Sequence, residues 1–188
     1  MLSRGHRYDL KSNVLEKLTN IVFNCEKPND GNQYAEIIGR ISNKRATRYI
    51  NVDYLKTPDN FKKFKVIIPS ANGSGMIGEK ISTPLVGTPL VGHTQTFMSF
   101  GCFDAREEAD ACMKYLKTRF ARTLLGTLKV TQTNPISVWR NVPLQDFSSS
   151  SDIDWLQSVD EIDSQLYQKY GLSDEEIAFI EKNIQPMD

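Results

Sequence analysis

Cysteine is scarce and scattered. Cys25, Cys102 and Cys112 form an odd, unclustered set. That excludes a disulfide-stapled scaffold and fits a chain expected in the reducing cytoplasm. Histidine is scarcer, with only His6 and His93 far apart, and neither H-E-x-x-H nor C-x-x-C occurs. No apolar run approaches the roughly 18 residues of a membrane helix, and Met1 to Arg7 holds no apolar segment of signal-peptide type. A membrane partner is therefore not expected. What remains is 188 residues, 39% hydrophobic and 24% charged. That suffices for one folded domain, with or without a short appendage, and is too apolar for disorder throughout.

The formal net charge of zero hides an asymmetry. Residues 1–147 carry 21 Lys and Arg against 13 Asp and Glu, and residues 148–188 carry 2 against 10. A basic part with an acidic tail points to nucleic-acid binding by the former. A solvated surface with an acidic helical cap would give the same counts.

Apolar residues at 3–4 residue spacing (Val14, Leu15, Leu18, Ile21, Val22) predict a helix over 11–24. Tyr34 to Ile41 and Ala46 to Val52 read as a strand hairpin joined by the polar turn Ser42 to Arg45. It carries Arg40, Lys44, Arg45 and Arg48 near Tyr34 and Tyr49, which suits a phosphate-facing surface or, equally, a charged edge that discourages aggregation. Lys65 to Pro69 reads as a short buried strand. The irregular stretch 70–92 holds a perfect tandem repeat, Thr83-Pro84-Leu85-Val86-Gly87 and Thr88-Pro89-Leu90-Val91-Gly92, expected to form two similar turns. Thr94 to Cys102 has strand composition. Asp104 and Glu107 are spaced as a capping box for a central helix with Ala109, Cys112, Met113, Leu116 and Phe120 on its core face. Ser148 to Ser151 reads as a flexible linker. Capping boxes at Ser158/Glu161 and Ser173/Glu176 then start two short helices, an acidic αα-hairpin. The fold class expected is α+β: a mixed or antiparallel sheet with long loops, a central capped helix and a C-terminal αα-hairpin. The chain divides into a basic domain, 1–147, and an acidic helical appendage, 148–188.

No complete active site is legible. Gly73-Ser74-Gly75-Met76-Ile77-Gly78 matches G-x-G-x-x-G, but Pro84 and Pro89 follow where a Rossmann helix should run. No P-loop exists. The D-x-D of Asp152 and Asp154 lacks the glycine and glutamate of a calcium loop. Cys112 falls on a core face and reads as packing. Groups suited to base reading are more plentiful: Thr94-Gln95-Thr96 and Thr131-Gln132-Thr133-Asn134 offer amides and hydroxyls. Lys117, Arg119, Arg122 and Lys129 stand close to them in sequence.

Several segments, in order, carry a resemblance. They are Lys65 to Pro69 with Asn72 to Gly75, His93 to Phe97, Lys117 to Arg122, Lys129 to Gln132, Trp139 to Phe147 and Asp152 to Trp155. From about residue 35 onward the chain resembles the C-terminal, target-recognition region of adenine-specific DNA methyltransferases of bacterial type II restriction-modification systems. The resemblance implies sequence-specific binding of double-stranded DNA. It also implies a partner, the methyltransferase domain of a parent or fused enzyme, in which S-adenosylmethionine would be the cofactor. Neither the catalytic Asn/Asp-Pro-Pro-Tyr/Phe tetrapeptide nor a cofactor loop occurs in these residues, so no cofactor and no catalytic residue is expected within them.

The candidate contacts are Lys117, Arg119, Arg122 and Lys129 on phosphates or bases, and Thr94, Gln95 and Gln132 as readers. Asn72, Gly73, Ser74 and Gly75 form a close-approach loop, and Lys44, Arg45 and Arg48 a phosphate clamp. The rival reading is a module that docks a partner protein through its acidic C-terminal helices. A nuclease reading finds no P-D…[DE]-x-K arrangement.

Overall fold

The first sheet grows from a hairpin whose turn fixes everything beside it. Tyr34–Ile41 (β1) and Lys44–Asn51 (β2) run antiparallel. Ser42 and Asn43 have φ of 48° and 62°, the doubly left-handed two-residue turn whose twist matches the flanking strands. The turn is thus shorter than the four residues expected, and it sets Arg40 directly opposite Arg45. A computed structural model describes residues 10–71, 77–128 and 131–187.

Chain order continues with Phe64–Pro69 (β3), Leu85–Gly87 (β4), Val91–His93 (β5) and Phe97–Phe103 (β6). These make two three-stranded sheets, ordered β2-β1-β5 and β4-β3-β6. The first is mixed, because β5 runs parallel to β1, and the second is antiparallel. The helices are Val14–Leu18 (α1), Arg106–Lys117 (α2), Arg119–Leu128 (α3), Ile136–Trp139 (α4), Val159–Tyr170 (α5) and Asp174–Asn183 (α6). The α+β class holds. No helix among the described residues is long and apolar enough to cross a membrane.

The helix expected over 11–24 is cut to five residues. Thr19 turns extended, Asn20 takes φ 65°, and Asn24 exchanges backbone hydrogen bonds of 2.8 and 2.9 Å with Tyr49 on β2. Pairing with the sheet wins over helix propensity, buries Phe23 beside Leu15 and leaves Ile21 exposed. The tandem repeat does not make two similar turns. Its first copy supplies β4 of the second sheet. Its second bends at Leu90 (φ 68°) and supplies β5 of the first.

The central helix also starts one residue later than its capping pattern suggests. Ala105 is the N-cap, its N–H donated to the Glu108 carboxylate, while Asp104 forms an ion pair with Lys63 instead. Both C-terminal capping boxes form as expected, and Gly171 ends α5 in the left-handed conformation (φ 64°). Ser148 to Ser151 is a hydrogen-bonded turn rather than a free linker. The indole N–H of Trp155 donates to the Ser151 hydroxyl and the Asp146 carbonyl. One apolar core then joins Tyr115 and Phe120 to Trp155, Ile162, Leu166 and Ile180, so packing runs across position 147/148.

Candidate nucleic-acid interface

Ser70, the residue after β3, gathers the distant polar segments. Its N–H donates to the Thr96 carbonyl at 3.0 Å and its hydroxyl to the Gln95 carbonyl at 3.1 Å. Its own carbonyl accepts the Asn134 N–H at 2.9 Å, and Ala71 bridges antiparallel to Thr133. The two amide-and-hydroxyl segments, well apart in sequence, therefore meet at one end of the second sheet. Gln95 and Gln132 are exposed there, and Thr131 and Thr133 share a 2.8 Å hydroxyl contact. Asn134 is 2% exposed, and both of its side-chain polar atoms lack a partner among the described residues, a costly arrangement for a buried amide.

Beside this end stands the hairpin. Arg40 and Arg45 face each other across β1 and β2, and both guanidinium carbons lie over the Phe97 ring, 5.9 and 5.4 Å from its centre. Arg45 donates to the Thr83 carbonyl and Arg40 to the Asn43 carbonyl, both at 2.9 Å. Among the described residues neither forms an ion pair with a carboxylate. Like charges directly opposite on a sheet destabilise it. Two unneutralised guanidinium groups over one aromatic face are a ready seat for an anion.

Several expected contacts fall elsewhere. Thr94 is fully buried, bonded through its hydroxyl to Thr96 and through its N–H to the Ile38 carbonyl, so it cannot read a base. Lys44 is exposed but alternates onto the strand face opposite Arg45, as does Arg48. Arg48 braces α1 by donating to the Thr19 hydroxyl at 3.2 Å. The three residues are thus not one clamp.

The α2–α3 arginines are structural. Arg119 pairs with Asp160 at 2.8 Å and donates to the Ile184 carbonyl. Arg122, 2% exposed, donates to the carbonyls of Lys117, Thr118, Gly78 and Gln185. Burial pulls its guanidinium down to about 10. Neither is available to a phosphate, because helix packing consumes both. Lys117 is half-buried at the end of α2 and engaged with a partner. Asn72, Gly73, Ser74, Gly75 and Lys129 lie outside the described residues.

Sequence reasoning noted Arg40 but left it out of the site, and missed Ser70 altogether. The register of a two-residue turn would have exposed the Arg40–Arg45 pair. Nothing local marks Ser70. No group of three or more His, Cys, Asp or Glu side chains is placed to hold a metal ion among the described residues. No family model, curated protein or solved structure matches the chain.

Proposed function

We propose that this chain is a DNA-binding module that grips duplex DNA with the end of the fold built around Ser70. More particularly, it serves as the target-recognition part of an adenine-specific methyltransferase or fused restriction-modification enzyme, whose separate catalytic domain binds S-adenosylmethionine and transfers the methyl group. The observation that carries the reading is the Arg40–Arg45 pair over Phe97, without a carboxylate partner among the described residues, on a fold whose second sheet ends at the segments of the exposed Gln95 and Gln132. The arginines suit the sequence-independent grip on phosphates, and the amides suit bidentate pairing with adenine in the major groove.

The test is fluorescence anisotropy with a generic duplex of about 20–30 bp across a salt series, where each phosphate contact adds about −0.9 to the log–log slope. Wild type is expected to bind with a steep slope. Arg40→Ala/Arg45→Ala together should flatten it by about two contacts. An unchanged slope would sink the reading.

Docking of a partner protein has one observation in its favour. A groove on α3 and α6, lined by Phe120, Leu124, Leu172 and a half-exposed Phe179, is edged by Glu175 and Glu176. A basic partner domain captured by the full chain but not by Phe179→Ser would support it.

A further inference from the structure

Between the two sheets lies a cleft of about 710 Å³, within the range of small-molecule sites. Ile37 and Val91 of the first sheet form one side, and Phe97 and Ser99 of β6 the other. The chain between β2 and β3 closes it with Tyr54, Lys56, Asn60 and Phe61.

Its charge is one-sided. Among the described residues, Lys56 and Lys65 line it and no Asp or Glu does. Lys65 is the unusual member. It is 2% exposed; its ammonium donates to the carbonyl oxygens of Asn60 (3.0 Å), Lys63 (3.1 Å), Phe61 (3.2 Å) and Thr88 (3.3 Å), lies 5.9 Å from the centre of the Phe61 ring, and has no carboxylate partner among the described residues. A buried cation ordinarily has a carboxylate beside it. Here the dipoles hold the ammonium in place without cancelling its charge, so the wall of the cleft keeps a net positive field.

The remaining walls suit a flat ring. Tyr54, 71% exposed, offers an aromatic face, and Asn60 and Gln95 offer amides. Gln95 and Phe97 also belong to the interface described above, with Arg40 and Arg45 lying over the Phe97 ring. The cleft therefore opens beside the surface assigned to the duplex.

We propose that this cleft binds one nucleoside 5′-phosphate, its ring against the exposed Tyr54 and its phosphate in the field of Lys56 and Lys65. The nucleotide has two possible sources: one drawn out of a bound duplex, or one free in solution. For the first source the inference rests on the DNA reading; for the second it stands alone.

The experiment uses the full chain. Calorimetry and amide NMR are run with deoxyadenosine and thymidine 5′-monophosphates, with deoxyribose 5-phosphate as the ringless control. A duplex carrying one 2-aminopurine reports extrusion by its fluorescence. Lys56→Glu reverses charge at an exposed position, and Ser99→Phe fills the cleft. A mononucleotide should shift the Gly92, Gln95 and Ser99 amides, bind at least tenfold more weakly to Lys56→Glu and not at all to Ser99→Phe. If the ringless phosphate binds as well as the nucleotides, ring recognition is wrong and the proposal falls. A duplex bound without either a 2-aminopurine response or mononucleotide binding overturns the cleft and spares the DNA reading. Mononucleotide binding without duplex binding does the reverse. Silence in both arms overturns both.

Discussion

Asp163 on α5 accepts the backbone N–H of Phe120 at 2.9 Å with one carboxylate oxygen, and that of Arg119 at 2.9 Å with the other. Thr118 adds its hydroxyl as acceptor for Ala121. The first turn of α3 is thus capped largely by a residue from the acidic C-terminal segment. The charge asymmetry of the sequence is resolved here inside the molecule: part of the acid balances part of the base. Asp163→Ala leaves buried donors and a nearby arginine uncompensated. A loss of about 2–4 kcal/mol is expected, read from the urea midpoint. Asp163→Asn, which keeps one acceptor, should lose less.

A chain ending at residue 147 should fail to fold cooperatively. It lacks Asp163 and the apolar partners of Tyr115 and Phe120. Thermal unfolding followed by circular dichroism should show no sharp transition. A transition like that of the full chain would contradict a shared core.

Arg122→Ala should act on stability and leave DNA alone. Its guanidinium ties the end of α2 to Gly78 and Gln185, and losing such a buried network costs on the order of 3 kcal/mol. At a temperature where the variant is still folded, the salt slope of duplex binding should match wild type.

Arg45→Thr should separate stability from DNA binding. Removing one of two facing cations relieves repulsion of about 0.2–1 kcal/mol, which offsets the lost hydrogen bond to Thr83 and contact with Phe97, so the melting temperature should hold. The duplex salt slope should fall by about one contact.

Burial pulls the Lys65 ammonium down to about 8. The folded state then sheds a proton that the unfolded chain keeps until about pH 10.4. The unfolded state binds more protons across that window, so this group's contribution to stability rises with pH from 8 to about 10.4. Denaturation of wild type and Lys65→Met at several pH values should show the gain in wild type alone.

Features with a local cause were legible in the sequence. Ser158/Glu161, Ser173/Glu176 and Gly171 act within a few residues of themselves, and the caps and stop they predict are present. Features decided by distant partners were not. The contact between Asn24 and Tyr49 shortens α1, and Asp163 claims the N-terminus of α3 from 43 and 44 positions away. Charge counts could not tell Arg122, buried among carbonyls, from Arg45, which is exposed. Ser70 was illegible because its backbone groups and hydroxyl act only on segments distant in sequence.

The repeated pentapeptide has a topological consequence. Gly87 ends a strand of one sheet and Val91 begins a strand of the other, so three residues form the strap that holds the sheets at their spacing. The two copies have the same five residues, so only counting along the chain tells them apart. Loss of one copy would leave every remaining residue chemically acceptable and the path too short to serve both sheets. This protein is thus more sensitive to the length of that segment than to its spelling.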